Sequence, residues 1–417
     1  MRILNCKLQN YAMLMDIEVE DGVIKSLMQA GSISYDISEE NIDAKGCLVV
    51  PPFIEPHIHL DAVLTAGDPS WNLSGTLFEG IERWAERKDK LTREDVIDRA
   101  VRAVQMCAVH GIQFIRTHVD VTDPSLTALK ALIEVKEMVR EYCEIQIVAF
   151  PQEGILSYDG GKELMKEAVA LGVDVIGAIP HYEFTREYGV DSLKFAMELA
   201  KEHDLLVDVH CDEIDDEQSR FLETLAAEAI RLNLYEKVTA SHTCAMGSYN
   251  DAYARKLFNV LKKSKVNFVC CAVENIHLQG RTDSYPKRRG VTRVKELVQA
   301  GINVSFAEDS IVDPWYPFGN GHILNVLFQC LHITQLMGYD EFKDALKYIT
   351  ENSAKTMQIQ DHYGIEVEKP ANLLILNAND QYSALRNQSQ VLYSIRAGQV
   401  IASSEAATYQ FLGKKYV

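Results

Sequence analysis

The sequence lacks the features that would place a protein in a membrane, outside the cell or on nucleic acid. No apolar run reaches the roughly 20 residues that span a bilayer, and residues 1–10 lack the basic segment and long apolar stretch of a signal peptide. Basic residues are scarce, 42 against 60 acidic ones, so the formal net charge is −18. Because so acidic a surface repels phosphate groups, we expect no nucleic-acid or membrane partner. Since no signal peptide is recognised, we expect a cytoplasmic location.

Disulfide bonds are not expected either. The nine cysteines lack the even spacing of a disulfide framework, and most lie in apolar runs, as Cys270 and Cys271 do. That pattern is typical of buried thiols in a reducing compartment. With 417 residues, 47% of them hydrophobic, the chain is long enough for one large domain and a small companion.

The middle of the chain alternates strand-like and helix-like segments. Strand candidates begin near Leu48, Gln113, Ile145, Asp174, Leu205, Lys237, Asn267 and Asn303. Most are about 30 residues apart, as βα units require, and the runs between them carry apolar residues at helical spacing. Eight such units predict an α/β fold, a (β/α)8 TIM-like barrel over residues 51–365. The longer first gap, around Trp71 to Trp84, is predicted to form a loop over the barrel mouth.

Both ends of the chain have a different pattern from the middle. Residues 1–50 contain short strand candidates and the dipeptide Asp21-Gly22, a strong hairpin signal. Residues 366–417 contain similar short apolar runs, such as those from Ala371 and from Val391. We predict that the two ends pair into one small β-sandwich domain beside the barrel.

Polar side chains follow several of the predicted strands. His57 and His59 form a His-x-His pair, and residues two apart on a strand point to the same face. The other polar residues at strand ends are Gln152, His210, His242 and Asp309. In this barrel fold the C-terminal strand ends meet at one mouth, which predicts a single site.

Three imidazoles and one carboxylate, from His57, His59, His210 and Asp309, suit Zn²⁺ or Fe²⁺ with one position open to water. Water on such an ion has its pKa lowered from about 15.7 towards 7, which gives a hydroxide at neutral pH. Each histidine alone is more often a hydrogen-bonded core residue. Their joint placement at strand ends favours the metal site.

Several long stretches resemble the bacterial cytosine deaminases of the amidohydrolase superfamily. The stretches are Glu55-Pro-His-Ile-His-Leu-Asp, Ser74-Gly-Thr-Leu-Phe-Glu-Gly-Ile-Glu-Arg-Trp-Ala-Glu-Arg-Lys, Arg116-Thr-His-Val-Asp-Val, Phe150-Pro-Gln-Glu-Gly-Ile-Leu-Ser-Tyr, His210-Cys-Asp-Glu-Ile-Asp-Asp-Glu-Gln-Ser-Arg-Phe, Ile276-His-Leu-Gln-Gly-Arg and Asp313-Pro-Trp-Tyr-Pro. The similarity runs over nearly the whole chain. It implies hydrolytic deamination of a free pyrimidine base, a homo-oligomer with a hexamer as one candidate, and one divalent ion per subunit, with iron as the usual metal and zinc as the substitute.

The resemblance also implies roles for individual residues. The implied metal ligands are His57, His59, His210 and Asp309, with Glu213 as proton shuttle, His242 beside the attacking water, and Gln152, Ser310, Trp315 and Leu77 against the substrate. The chemistry agrees: hydroxide attacks C4, one proton must reach N3, and another must reach the amino nitrogen. An exposed loop acid remains the alternative for Glu213, a turn role for Gln152, and simple packing for Trp315.

Three further polar residues near strand ends have weaker claims. His118, Asp120 and His181 are expected either to orient metal ligands from behind or to serve the fold alone. The sequence His181-Tyr-Glu183 resembles the His-x-Glu of another zinc deaminase class. No Pro-Cys-x-x-Cys follows it, so that fold is rejected.

One departure from the family pattern concerns the substrate. Around the eighth strand the family reads Gly-His-Asp-Asp, whereas this chain reads Ala307-Glu308-Asp309-Ser310. The residue that in the family borders the pyrimidine's C5 is thus serine instead of aspartate in this chain, which leads to the hypothesis that 5-methylcytosine is the preferred substrate. Retained preference for cytosine is the alternative.

Other aminated heterocycles such as isoguanine, and a mononuclear cyclic-amide hydrolase, are the rival functions. A two-metal cyclic-amide hydrolase would often carry a bridging lysine at the fourth strand's end. Residues 177–183 contain none, which favours a mononuclear site.

Overall fold

A ring of eight parallel strands forms the middle of the molecule, with smaller sheets from the chain ends beside it. A computed structural model describes residues 1–32, 41–407, 409–412 and 414–416. In chain order the strands are β1 (Arg2–Cys6), β2 (Met15–Glu20), β3 (Val23–Gln29), β4 (Ile42–Asp43), β5 (Val49–Val50), β6 (Phe53–Ile58), β7 (Ile112–Asp120), β8 (Glu144–Phe150), β9 (Val175–Ala178), β10 (Leu206–Cys211), β11 (Val238–His242), β12 (Asn267–Cys270), β13 (Val304–Phe306), β14 (Leu373–Leu376), β15 (Val391–Arg396), β16 (Gln399–Ser403), β17 (Tyr409–Phe411) and β18 (Lys414–Tyr416). The helices are α1 (Leu77–Lys88), α2 (Arg93–Val109), α3 (Thr127–Met138), α4 (Gly161–Leu171), α5 (Arg186–His203), α6 (Phe221–Arg231), α7 (Asp251–Ser264), α8 (Ala272–Leu278), α9 (Val294–Gln299), α10 (Ile323–Ile333), α11 (Tyr339–Phe342), α12 (Glu351–Thr356) and α13 (Gln381–Asn387).

The barrel strands β6 to β13 pair with one another in sequence order, each parallel to the next. The ring closes at a seam between β6 and the segment after β13, where Ile58 pairs with Asp309. There the backbone N–H of Asp309 donates to the His57 carbonyl at 3.1 Å, and that of His59 to the Asp309 carbonyl at 3.2 Å. The prediction of a (β/α)8 barrel is confirmed.

The first barrel strand begins later than the sequence predicts. The apolar run that starts at Leu48 is divided in two by Pro51 and Pro52, which lack the N–H groups that a continuing strand would need. Residues Val49–Val50 pair antiparallel with β14 in the small domain, and the barrel strand β6 starts at Phe53.

The small domain is a sandwich of two four-stranded sheets. Their strand orders are β3-β2-β1-β4 and β16-β15-β14-β5, so both chain ends contribute, as predicted. Its core is formed by Ile3, Cys6, Ile17, Ile24, Val49, Leu373, Ile375 and Ile395. The Asp21-Gly22 turn joins β2 to β3, with positive φ angles of 51° and 77° that suit a tight hairpin. The domain boundaries after residues 50 and 365 remain a prediction.

Helices surround the barrel and pack their apolar faces on it. In α2 the Thr92 hydroxyl caps the first turn by accepting the Asp95 N–H at 3.3 Å. Residues buried at helical spacing, Val96, Ala100, Ala103, Val104 and Cys107, then form its inner face. Within the described ranges, no helix is long and apolar enough to cross a membrane.

Helix α1 lies in the long connection between β6 and α2, where the sequence predicts a loop over the mouth. Thr76 caps it, and the buried Trp84 ring lies 6.4 Å from the Trp315 ring. Gly80 allows a close approach, because a Cβ atom at this position would lie 2.4 Å from the Trp315 ring. The connection is therefore packed tightly against the residues at the mouth.

Candidate active site

The ends of four barrel strands bring the predicted site residues to one place. His57 lies in β6, His210 in β10 and His242 at the end of β11, while His59 and Asp309 follow β6 and β13. All five side chains are buried. Because parallel strands end on the same side of the ring, residues more than 150 positions apart meet at the C-terminal mouth.

The side chains of the four predicted metal ligands lie next to one another. Asp309 Oδ1 lies 3.4 Å from His57 Nε2 and 3.5 Å from His59 Nε2. The Nε2 atoms of His59 and His210 are 3.1 Å apart. Ligand bonds of about 2.0–2.2 Å put neighbouring ligand atoms about 3.0–3.5 Å apart, so these separations match the edges of a coordination sphere.

Unpartnered polar atoms support the same conclusion. Among the described residues, His57 Nε2 and Asp309 Oδ2 are buried without a hydrogen-bond partner. Buried polar atoms are nearly always paired, and a cation is the usual partner for a lone pair of this kind. The donor set therefore fits one divalent metal ion.

A hydrogen-bonded relay behind His57 fixes its tautomer. Ser241 Oγ donates to Asp208 Oδ1 at 2.6 Å and accepts from His57 Nδ1 at 2.9 Å. Arg116, fully buried, donates to the other Asp208 oxygen at 2.9 Å. With its proton on Nδ1, His57 turns the Nε2 lone pair towards the ligand cluster, as metal-bound histidines require.

Burial and neighbouring side chains favour the metal-binding forms of His59, His210 and Asp309. Burial lowers the pKa of His59 to about 4, against the opposing pull of Asp309, and holds the pKa of His210 well below its usual range. Burial would raise the pKa of Asp309, but the neighbouring His57 and His242 hold it well below its ordinary value. Neutral imidazoles and an ionised carboxylate are the forms that bind a metal.

Glu213 and His242 lie together on the cavity side of this cluster. His242 Nδ1 is 3.4 Å from Glu213 Oε1 and 3.7 Å from Asp309 Oδ2. Burial, reinforced by the charge of Asp309, raises the pKa of Glu213 well above its usual value. A carboxyl whose protonated form is favoured in this way can hold a proton and pass it on.

One small cavity contains every residue that was predicted to contact the substrate. Its lining includes Leu77, Gln152, Ser310 and Trp315 together with Glu213. The Trp315 ring lies 6.0 Å from the His59 ring at an interplanar angle of 31°. The cavity thus combines the ligand cluster, a buried acid, an amide and an indole.

Helix α8, which follows the seventh barrel strand, adds two polar residues that sequence reasoning missed. Glu274 lines the cavity, and its Oε2 accepts the Ser310 Oγ–H at 3.2 Å. Asn275 Nδ2 lies 3.1 Å from His242 Nδ1 and 3.4 Å from Glu213 Oε1. A signal was present, since Glu274 and Asn275 lie immediately before the motif that begins at Ile276, one of those that carry the family resemblance.

The three weaker candidates occupy different environments. His118 stacks on His57, with ring centroids 3.9 Å apart, so it lies directly behind a ligand. Asp120 accepts from Trp84 Nε1 and Lys88 Nζ, each at 3.0 Å, and so anchors α1. His181 lies in the turn after β9, and both of its ring nitrogens are buried.

A parallel barrel with imidazoles, a carboxylate and a buried proton carrier at its mouth defines the class of metal-dependent barrel hydrolases. The chain belongs to the amidohydrolase family, whose model matches residues 40–402. The family and the donor set together imply a divalent metal.

Among solved structures, the chain is similar to 5-methylcytosine deaminase from Klebsiella pneumoniae with bound 5-fluorocytosine. The identity is 54% over 99% of this chain and 100% of that one, with a TM-score of 0.97. N-isopropylammelide isopropyl amidohydrolase of Pseudomonas sp. (strain ADP) is 30% identical over 88% of this chain and 89% of its own length. Pterin deaminase of Rhizobium rhizogenes is 27% identical over 93% of this chain and 88% of its own length.

Proposed function

We propose that this enzyme hydrolyses the exocyclic amino group of free pyrimidine bases, converting 5-methylcytosine to thymine and cytosine to uracil with release of ammonia. The observation that carries the proposal is the single cavity that joins the ligand cluster to Glu213 and Gln152. The 54% identity to a 5-methylcytosine deaminase over 99% of the chain supports it.

His57, His59, His210 and Asp309 would hold one divalent ion. Bound there, the ion supplies a water molecule of lowered pKa, ready to attack at neutral pH. We propose Fe²⁺ as the native ion and Zn²⁺ as its substitute, because imidazole and carboxylate ligands suit both. Metal analysis of protein purified from iron-supplemented and zinc-supplemented cultures would test this choice.

Glu213 moves the protons of the reaction. A C4–O bond forms and the C4–N bond breaks, so the ring nitrogen N3 and the departing amine each need a proton. Glu213 is buried on the cavity side of the cluster and carries one proton at a time. It can give this proton to N3, take up one proton of the attacking water and pass that one to the departing amine. The other proton of the water, accepted by Asp309, then restores Glu213. Asp309 and His242 face the oxygen that adds to C4, where a carboxylate can accept its proton and an imidazole can hydrogen-bond to it.

Gln152, Leu77 and Trp315 position the base. The Gln152 amide donates and accepts at once, which matches a carbonyl and an N–H on the edge of a pyrimidine. Leu77 and Trp315 supply apolar walls for the faces of the ring. Ser310, 1% exposed, forms the wall beside C5, and we propose that it makes the methylated base the preferred substrate.

A homo-oligomer is part of the proposal, with a hexamer as the working state. The mass of the purified protein by light scattering, compared with the 47.0 kDa chain, would test it.

The decisive experiment measures ammonia release by iron-loaded enzyme with 5-methylcytosine, cytosine, isoguanine and a cyclic amide under identical conditions. We expect turnover of both pyrimidines, with the higher kcat/KM for 5-methylcytosine. Release of ammonia from isoguanine alone, or hydrolysis of the cyclic amide alone, would assign one of the rival functions instead.

A further inference from the structure

Glu274 is a carboxyl that the proposed reaction does not use, although it lies in the wall of the cavity. It is 4% exposed and shares this wall with Ser310 and Trp315. Glu213 is the proposed proton carrier, and Glu274 is not one of the four proposed metal ligands. The place of Glu274 therefore points to a role in binding.

The surroundings of Glu274 make its burial costly. Glu274 lines the same cavity as the carboxyl groups of Asp309 and Glu213, and all three residues are buried. A carboxyl group that is buried beside other carboxyl groups needs hydrogen-bond partners to compensate for the loss of its hydration. The hydroxyl of Ser310 is such a partner, at 3.2 Å.

The contact also determines what Ser310 presents to a bound base. A serine hydroxyl has one proton, and this one is donated to Glu274. Asp313 is a second carboxyl that interacts with the Ser310 hydroxyl. Its Oδ1 accepts the backbone N–H groups of Trp315 and Tyr316, each at 3.0 Å, and its Oδ2 has no partner with hydrogen-bond geometry among the described residues. The 3.2 Å contact with Glu274 is therefore the one that has the geometry of a hydrogen bond. With its proton used inside the wall, the Ser310 hydroxyl needs no partner from the ligand.

A methyl group and a hydrogen atom at C5 make different demands on this wall. A methyl group fills the space and excludes water, so an unpaired hydroxyl beside it would stay unsatisfied, at a substantial cost. With hydrogen at C5, a water molecule can occupy the space and pair with the hydroxyl. Loss of the hydrogen-bond acceptor on residue 274 should therefore lower kcat/KM for 5-methylcytosine more than kcat/KM for cytosine.

We infer that Glu274 is a specificity-determining residue, which holds the Ser310 hydroxyl against α8 so that the wall beside C5 accepts a methyl group. The inference rests on the proposed function and names the residue pair that forms the subsite for the 5-substituent.

The test compares Glu274→Leu, which removes the acceptor, with Glu274→Gln, whose amide oxygen keeps it. The measured quantity is the ratio of kcat/KM for 5-methylcytosine to that for cytosine. We expect the ratio to fall about tenfold in Glu274→Leu, as for an unpaired buried hydroxyl, and to stay within about threefold of the parent in Glu274→Gln. Equal ratios in the two variants would overturn the inference.

The same comparison in a Ser310→Ala background shows whether Glu274 acts through Ser310. Without the hydroxyl, Glu274→Leu should leave the ratio unchanged, and a tenfold fall there would contradict the pairing. Dissociation constants for the products thymine and uracil give a readout that does not depend on turnover, and their ratio should shift in the same direction.

Melting temperature and metal content identify variants that do not fold. If Glu274→Leu does not fold, Ser310→Ala alone decides: we expect it to keep the preference of the parent, and a reversed preference would show that the hydroxyl itself contacts the base. Failure of the parent to deaminate either base would refute the proposed function. An active parent with insensitive Glu274 variants would refute this inference alone.

Discussion

At the scale of single residues, the protonation state of Glu213 is central to the proposed reaction. The residue is 3% exposed, and both burial and the charge of Asp309 raise its pKa and so favour its protonated form. A solvated glutamate would be ionised at neutral pH and could only accept. The same environment that makes Glu213 a poor anion makes it a good proton donor to N3.

Glu213→Gln should therefore lower kcat far more than it changes KM. The amide keeps the shape of the side chain but cannot carry a proton, and general acid–base catalysis is typically worth about 10²–10⁴-fold. Steady-state ammonia release with both bases measures the effect. Glu217→Gln is the matched control, because Glu217 lies in the same loop, is exposed and is outside the cavity. Turnover of Glu213→Gln at the rate of this control would remove the assigned mechanism.

Ser310→Asp should reverse the proposed base preference. The added carboxylate would occupy the space of the 5-methyl group and would lie close to Glu274, which now hydrogen-bonds to Ser310. A methyl-sized difference in a pocket is worth about 10–200-fold in rate, so kcat/KM for 5-methylcytosine should fall by this factor relative to that for cytosine. Equal losses with both bases would show that Ser310 does not border C5.

At the scale of secondary-structure elements, three barrel strands together orient one metal ligand. His57 on β6, Asp208 on β10 and Ser241 on β11 form a continuous hydrogen-bonded relay. Ser241→Ala breaks this relay and should weaken metal affinity by about 10–100-fold, as the loss of an outer partner usually does. Competition with a chelator measures the affinity.

Ser305→Ala is the control for this variant, because Ser305 is also buried in a barrel strand but hydrogen-bonds to Thr356 instead of to a ligand. If both variants bound the metal equally well, the relay would have no part in orienting His57.

Helix α1 offers a test of how the mouth is packed. Gly80→Ala would improve intrinsic helix propensity by about 1 kcal/mol, yet the new Cβ would lie 2.4 Å from the Trp315 ring. Overpacking costs about 1–3 kcal/mol, so the clash should outweigh the gain. We expect a higher KM and a lower melting temperature.

The control on the same helix is Glu82→Ala, on its exposed face. This variant should change the free energy of unfolding by less than about 0.5 kcal/mol. A Gly80→Ala enzyme that was as stable and as active as this control would mean that α1 moves freely away from Trp315.

The elements themselves were largely predictable from sequence. Apolar runs with β-branched residues mark β6 to β13, and helical spacing marks α2, α3 and α6, because each pattern reflects burial on one face. The start of β6 was predicted too early because hydrophobicity alone does not distinguish a barrel strand from a sandwich strand. Only the partner strand β14 decides that Val49–Val50 belongs to the small domain.

The candidate site was predictable where the chain brings residues to strand ends. His57, His59, His210 and Asp309 follow this rule, and the structure brings them together. Glu274 does not follow this rule, because it lies within the short helix α8 and not at a strand end. Its side chain lines the cavity because of the direction in which α8 leaves the barrel strand. Side-chain direction after a strand depends on tertiary packing, which periodicity does not report.

At the scale of the whole molecule, the ligand cluster crosses the seam of the barrel. Metal bound by His59 and Asp309 would join β6 to the end of the ring, so removing it should destabilise the entire fold. An ion at 100 times its dissociation constant stabilises by about 2.7 kcal/mol, and chelation should lower the melting temperature accordingly. His59→Ala is the control, since it lacks one ligand. If a chelator lowered the melting temperature of His59→Ala as much as that of the parent, the chelator would be acting at a site other than this ligand cluster.

The seam also has a consequence for how the protein is made. The ribosome completes His59 about 250 residues before Asp309, which at about 5–20 residues per second corresponds to roughly 13–50 seconds. Throughout that interval the nascent polypeptide lacks Asp309, so it cannot provide all four proposed metal ligands. The finished centre can exist only in chains translated beyond residue 309, so truncated products are inactive by construction.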